Sequence, residues 1–256
     1  MQTRTVVTSS PRYTLHSERD DLPLLIKICG LDGSGKLFYK QIPSLAKSYR
    51  VVTFPLRDDP AATYEMLADD VAAIIEAIGE GKAVVVGESF GGGIAFSFAL
   101  RYPQMLDRLV IVNSFAWYRR RLRIHAAAKL ATVLPKQFIV PFRLMSATLG
   151  LLVDGVKGED RLRILQVLQA IEMKGYARRL QLISEVNLLD RLSEIQAPTL
   201  LIATPRDLLV PSVREAHEMA ARMPNATVKI IDKAGHSLLL RDDVQLSDIL
   251  AEWRSV

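Results

Sequence analysis

Apolar and polar positions along the chain alternate with a strand period, then a helix period, and repeat. Residues 3–7 and 12–16 alternate weakly and predict two short edge strands ahead of a polar turn over 17–21. Residues 24–29 form a continuous apolar run ending in Gly30-Leu31-Asp32-Gly33-Ser34-Gly35, and 37–46 read as a helix or turn region. A further strand, 50–54, closes at Pro55. Over 64–78 the residues Met66 or Leu67, Val71, Ile74, Ile75 and Ile78 share one helical face, with Thr63 placed as N-cap and Gly79 as the stop. A β-branched run then leads through Val84, Val85 and Val86 into small residues, a helix over 91–102 stopped by Pro103, and a strand over 106–112. Strands and helices in this order predict a parallel sheet covered on both faces.

At Asn113 the alternation stops. From Ser114 to about Arg191 the spacing is helical, with breaks at Pro135, Pro141, residues 150–158 and Gly175. An all-helical cap over 114–191 is therefore expected, inserted after the sixth strand into an α/β core of residues 1–113 and 192–256. The core pattern resumes with a strand at 199–203 behind Pro198, a helix at 212–223, a strand at 227–231 and a helix at 243–253.

Composition narrows the class without choosing a chemistry. A chain of 256 residues, 49% hydrophobic and 24% charged, suits one soluble globular domain with an insertion. The net charge of +5 is modest and the acidic residues are spread, so no nucleic-acid partner is expected. The single cysteine, Cys29, excludes an internal disulfide and suits a cytoplasmic protein. Residues 1–15 lack the pattern of a secretory leader, and no apolar run is long enough to span a bilayer.

Chemistry concentrates where residues 83–86 break into Gly87-Glu88-Ser89-Phe90-Gly91. A G-x-S-x-G sequence between strand and helix holds the serine on a sharp turn, with glycines where the two backbones pass closely. A serine nucleophile needs a base, and the base needs a carboxylate to fix its tautomer. Of the four histidines, His16, His125 and His217 fall in an edge strand, the helical region and a helix. His236 follows the strand 227–231 in a loop, at the sheet edge where open α/β sheets place their sites. Asp207 follows the strand 199–203 and gives the order Ser89, Asp207, His236. It is favoured over Asp190 and Asp232, while the alternative acid position after 106–112 holds Asn113. The amide of Phe90, at a helix start, and that of Leu31 are the expected oxyanion donors. No metal or cofactor is required.

Gly30 to Lys36 also fits G-x-x-x-x-G-K, a phosphate-cradling loop, which sustains a rival nucleotide-binding reading. Leu37 stands where that loop needs a magnesium ligand, and Asp32 would face the phosphates. Trp117-Tyr118-Arg119-Arg120-Arg121-Leu122-Arg123 reads as a solvated helix face or as a basic aromatic rim for a lipid surface. Phe138, Phe142, Leu144, Met145, Leu149, Leu151 and Leu152 read as cap core, some of them open to lining an acyl pocket.

Through Ser89, Asp207, His236 and the phrases around the last strands, Ile195 to Ile202 and Ala234-Gly235-His236-Ser237, the chain resembles the α/β-hydrolase superfamily over nearly its whole length. Gly30 to Gly35 together with Gly87 to Gly92 are similar to the hydrolase part of the phytyl ester synthase and esterase/lipase/thioesterase clade. Many members carry His-Gly where this chain has Cys29-Gly30. The resemblance implies an ester hydrolase acting through an acyl-enzyme, with acyl transfer to a long-chain alcohol as the alternative.

Overall fold

The computed structural model describes residues 4–6, 11–17, 19–119, 121–156 and 158–254, with the side chains of residues 4–6, Arg121, Arg123, Phe142 and Leu152 outside the description. Thr3 and Val7 of the first predicted strand, and Arg120 of the basic rim, therefore lie outside the described residues. Strands β1 (Arg4–Val6), β2 (Tyr13–Leu15), β3 (Leu24–Ile28), β4 (Arg50–Thr53), β5 (Ala83–Glu88), β6 (Leu106–Val112), β7 (Thr199–Ala203) and β8 (Ala226–Ile230) form one sheet in the order β1-β2-β4-β3-β5-β6-β7-β8. The β1–β2 and β2–β4 pairings are antiparallel and the others are parallel.

Continuous apolar runs mark the central strands because both faces are covered. Leu24, Ile26 and Ile28 point into one core layer, with α2 (Tyr64–Ile78) and α3 (Phe90–Arg101). Leu25, Val84, Val86, Val110 and Val112 point into the opposite layer, against α1 (Ile42–Leu45) and α9 (Leu246–Arg254). Thr63 caps α2 through its side chain, and Gly79 ends it at φ 80°, as the caps predict.

Chain order places the site. From β3 the chain moves outward to β4, then returns to pair β5 on the other side of β3. At such a reversal the loops leaving the two strands diverge and open a crevice at their carboxyl ends. Gly30 to Gly35 leave β3 there, and Ser89 leaves β5.

Between β6 and β7 come α4 (Arg121–Val133), α5 (Lys136–Val153), α6 (Gly158–Gln169) and α7 (Met173–Glu185), and a 3-10 turn, Leu189–Glu194. The expected break at Pro141 does not occur, since α5 runs through it, whereas the one expected over 150–158 falls between the end of α5 at Val153 and the start of α6 at Gly158. A proline near a helix start forfeits one hydrogen bond, which packing can offset. Gly175 lies within α7 rather than interrupting it, set against Asp58. The 37–46 region is mostly turn, with only Ile42–Leu45 helical. α8 (Ser212–Ala220) and α9 are shorter than their patterns. Among the described residues no helix is long and apolar enough to cross a membrane.

Candidate active site

Ser89 sits at φ 53° and ψ −122°, a backbone state that a turn between strand and helix imposes. The crowding behind it is severe. A Cβ on Gly91 would lie 2.5 Å from the Cys29 carbonyl oxygen, and one on Gly87 would lie 2.6 Å from that of Gly91. The Ser89 amide donates to the Val112 carbonyl at 3.0 Å, and the Ser89 carbonyl accepts from the Ser114 hydroxyl at 2.5 Å. Both contacts fix the turn from β6.

The loops after β7 and β8 complete a relay. His236 Nε2 lies 3.0 Å from Ser89 Oγ, and Nδ1 lies 2.8 Å from Asp207 Oδ2. Asp207 Oδ1 accepts from the amides of Leu209 and Val210, each at 2.9 Å, so both carboxylate oxygens are occupied. Burial by itself would lower the His236 imidazole. The charge and hydrogen bond of Asp207, with lesser contributions from Glu88 and Asp154, outweigh burial and hold it above its ordinary value.

The rivals lie elsewhere. Asp190 and Asp232 are exposed, as are His125 and His217. His16 bonds the Thr53 hydroxyl at 2.8 Å, where burial lowers it.

The loop after β3 meets Ser89 at Gly30, where a Cβ would be 3.5 Å from Ser89 Cβ. Phe90 begins α3, directly after the serine. Gly30 and Phe90 therefore approach the serine from two elements. Asp32 turns into its own loop, accepting from the Ser34 amide at 2.9 Å and from the Ser34 hydroxyl. Burial pushes its carboxyl up, and the Ser34 bonds pull it back in part. A phosphate-cradling loop needs a helix starting at its lysine, whereas Lys36 is exposed and followed by turns. That overturns the nucleotide-binding reading. Burial pushes the Cys29 thiol up to about 12, which leaves it protonated and unreactive. Among the described residues, no group of three or more His, Cys, Asp or Glu side chains could hold a metal ion.

Four further residues shape the site. Asn113, at φ 46°, donates from Nδ2 to the carbonyls of Gly235 at 3.0 Å and His236 at 3.2 Å. The Thr204 hydroxyl reaches Asn113 Oδ1 at 3.1 Å. Lys27, 1% exposed, pairs with Glu88 at 2.7 Å and donates to the Ile28 carbonyl at 3.0 Å, beneath the turn. Asp154 accepts from the amides on either side of His236. The position of Asn113 at the end of β6 was a usable signal for its role. Lys27 and Asp154 have none in the local pattern.

Known proteins share this architecture. RutD of Pantoea ananatis, whose name provisionally assigns it to carbamate hydrolysis, is 27% identical over 93% of this chain and 90% of its own length. Phytyl ester synthase 1, chloroplastic, of Arabidopsis thaliana is 27% identical over 90% of this chain, which spans 37% of that protein. A solved hydrolase from Pseudomonas aeruginosa superposes with a TM-score of 0.85 at 21% identity, over 99% of this chain and 98% of that one. Residues 23–243 match the family described by the alpha/beta hydrolase fold, and the chain belongs to that family.

Proposed function

We propose that the chain is a serine hydrolase of carboxylic esters that works through an acyl-enzyme on Ser89. The observation that carries this reading is the continuous relay from Asp207 through His236 to Ser89, at 2.8 and 3.0 Å. Ser89 Oγ bonds the ester carbonyl carbon while His236 Nε2 takes its proton, and the negative charge moves to the carbonyl oxygen. The amides of Phe90 and Leu31 donate to that oxygen. The tetrahedral adduct collapses, the carbon–alkoxy bond breaks, and His236 returns the proton to the departing alcohol. A water then gives its proton to His236 and attacks the acyl carbon; release of the acid restores the Ser89 hydroxyl. Asp207 holds Nδ1–H, so Nε2 is the free base.

The helices between β6 and β7 serve as a cap facing acyl esters. From residue 109 to 153 the chain has seven Lys and Arg and no Asp or Glu. Leu122, Val133 and Phe138 are 86%, 70% and 62% exposed on this segment. An excess of cations beside exposed apolar side chains suits peripheral contact with an anionic lipid surface, from which the cap then draws acyl chains.

The test is a panel of nitrophenyl esters of increasing acyl length, with a carbamate included. Medium acyl chains should be turned over, and Ser89→Ala should lower the rate by roughly 10⁴-fold or more. Activity surviving in Ser89→Ala would overturn the assignment, and confinement to acetate would overturn the acyl-binding cap. Similarity to the phytyl ester synthase supports a second outcome, in which an added long-chain alcohol replaces water and yields a new ester.

A further inference from the structure

Both loops that carry the proposed chemistry are held by side chains from the helical segment between β6 and β7. Asp154 follows α5 at a turn made by Gly155, φ 69°, and is 2% exposed. Its Oδ1 accepts from the Gly235 amide at 2.5 Å and its Oδ2 from the Ser237 amide at 2.8 Å. Asn113 holds the carbonyls of Gly235 and His236 from within the sheet. The backbone around His236 is thus gripped at the Gly235 and Ser237 amides by the helical segment and at the Gly235 and His236 carbonyls by the core. A buried carboxylate is costly unless its oxygens are bonded, so this contact is strongly specified.

The second contact is made by Arg179 of α7, also 2% exposed. Its Nε donates to the Leu31 carbonyl at 3.0 Å, Nη2 to the Asp32 carbonyl at 3.4 Å, and Nη1 to Asp58 at 3.1 Å. A Cβ on Gly33 would lie 2.5 Å from Arg179 Cζ, so the guanidinium rests on the glycine. The Leu31 carbonyl belongs to the peptide just after the proposed oxyanion donor. Bonding it sets the rotation at Leu31.

We propose that Asp154 and Arg179 are positioning residues. The helical segment completes the active site by fixing the His236 loop with one and the oxyanion loop with the other, so displacing it disarms the serine. This inference rests on the proposed serine mechanism.

The test is the rate at which a fluorophosphonate modifies Ser89, a step in which the Oγ–P bond forms, P–F breaks, fluoride leaves and His236 takes the proton. Asp154→Asn keeps the size but turns an acceptor into a donor that faces an amide. Labelling and kcat should fall about 10²-fold with KM little changed, the scale of a misplaced catalytic group. The charged groups bearing on His236 are Asp207, Glu88 and Asp154. Removing the last should also move the acid limb of the labelling profile to lower pH, an effect that lost packing alone does not give. Arg179→Lys, which keeps the charge but loses the fork, should slow labelling without moving that limb, and it decides the matter if Asp154→Asn fails to fold. As a control, Tyr39→Phe removes the hydroxyl contact with Asp160 at 2.5 Å, elsewhere on the same segment, and should label at the wild-type rate. Folded variants at positions 154 and 179 that label like wild type would overturn the inference. Absence of Ser89 labelling in the wild type would instead overturn the serine mechanism itself.

Discussion

The imidazole of His236 stands between burial, which disfavours its charge, and Asp207, which favours it, and the raised value shows the carboxylate prevailing. In the proposed mechanism His236 is the general base and must be unprotonated, so activity should be lost as pH falls through the raised value and gained as it rises. The acid limb of kcat/KM should therefore have its midpoint above the ordinary imidazole value of about 6.5. A midpoint at or below that value would contradict the arrangement. Ser89, Asp207 and His236 were legible in sequence because each follows a strand end and the chain has few histidines to choose among. Lys27 was not, because it hides inside an apolar run. Its partner Glu88 lies 61 residues away and meets it only through the register of β3 on β5, in which Lys27 stands opposite Val86.

At the scale of elements, the turn between β5 and α3 depends on glycines that admit no side chain. Gly91→Ala would press a methyl into the backbone at the end of β3, and a destabilisation of about 1–3 kcal/mol is expected from such overpacking. Gly81→Ala, at a position with nothing within 4 Å, is the matching control and should change stability by less than about 0.5 kcal/mol. Equal melting temperatures for the two variants would show that the turn is not crowded. Element type followed from periodicity wherever one face is buried, as for α2 with its Thr63 and Gly79 caps. It misled at Pro141, because a breaker residue weighs against a helix only until packing outweighs it. The 37–46 region folded mostly as turns because Phe38, Ile42 and Leu45 are buried without a continuous helix to carry them.

For the whole molecule, the reversal of strand order at β3 and β5 sets the edge where Ser89 lies, and the helical segment after β6 bonds to the loops around it. The parallel sheet could be read from alternating runs, whereas contacts such as Asp154 with Gly235 join residues 81 apart and exist only after folding. The charge asymmetry of residues 109–153 makes a prediction at this scale. Cosedimentation with phosphatidylcholine vesicles should rise when phosphatidylglycerol is added and fall with salt. Leu122→Glu with Val133→Glu should reduce it. Binding indifferent to anionic lipid would remove the lipid surface from the account.

The central claim is that Ser89 is a nucleophile activated by His236. Intact-mass measurement after fluorophosphonate treatment, followed by peptide mapping, tests it most directly. One adduct per chain on Ser89, lost in Ser89→Ala and strongly slowed in His236→Ala, is the predicted result. An unmodified Ser89 in folded protein, or labelling at an undiminished rate in His236→Ala, would contradict it.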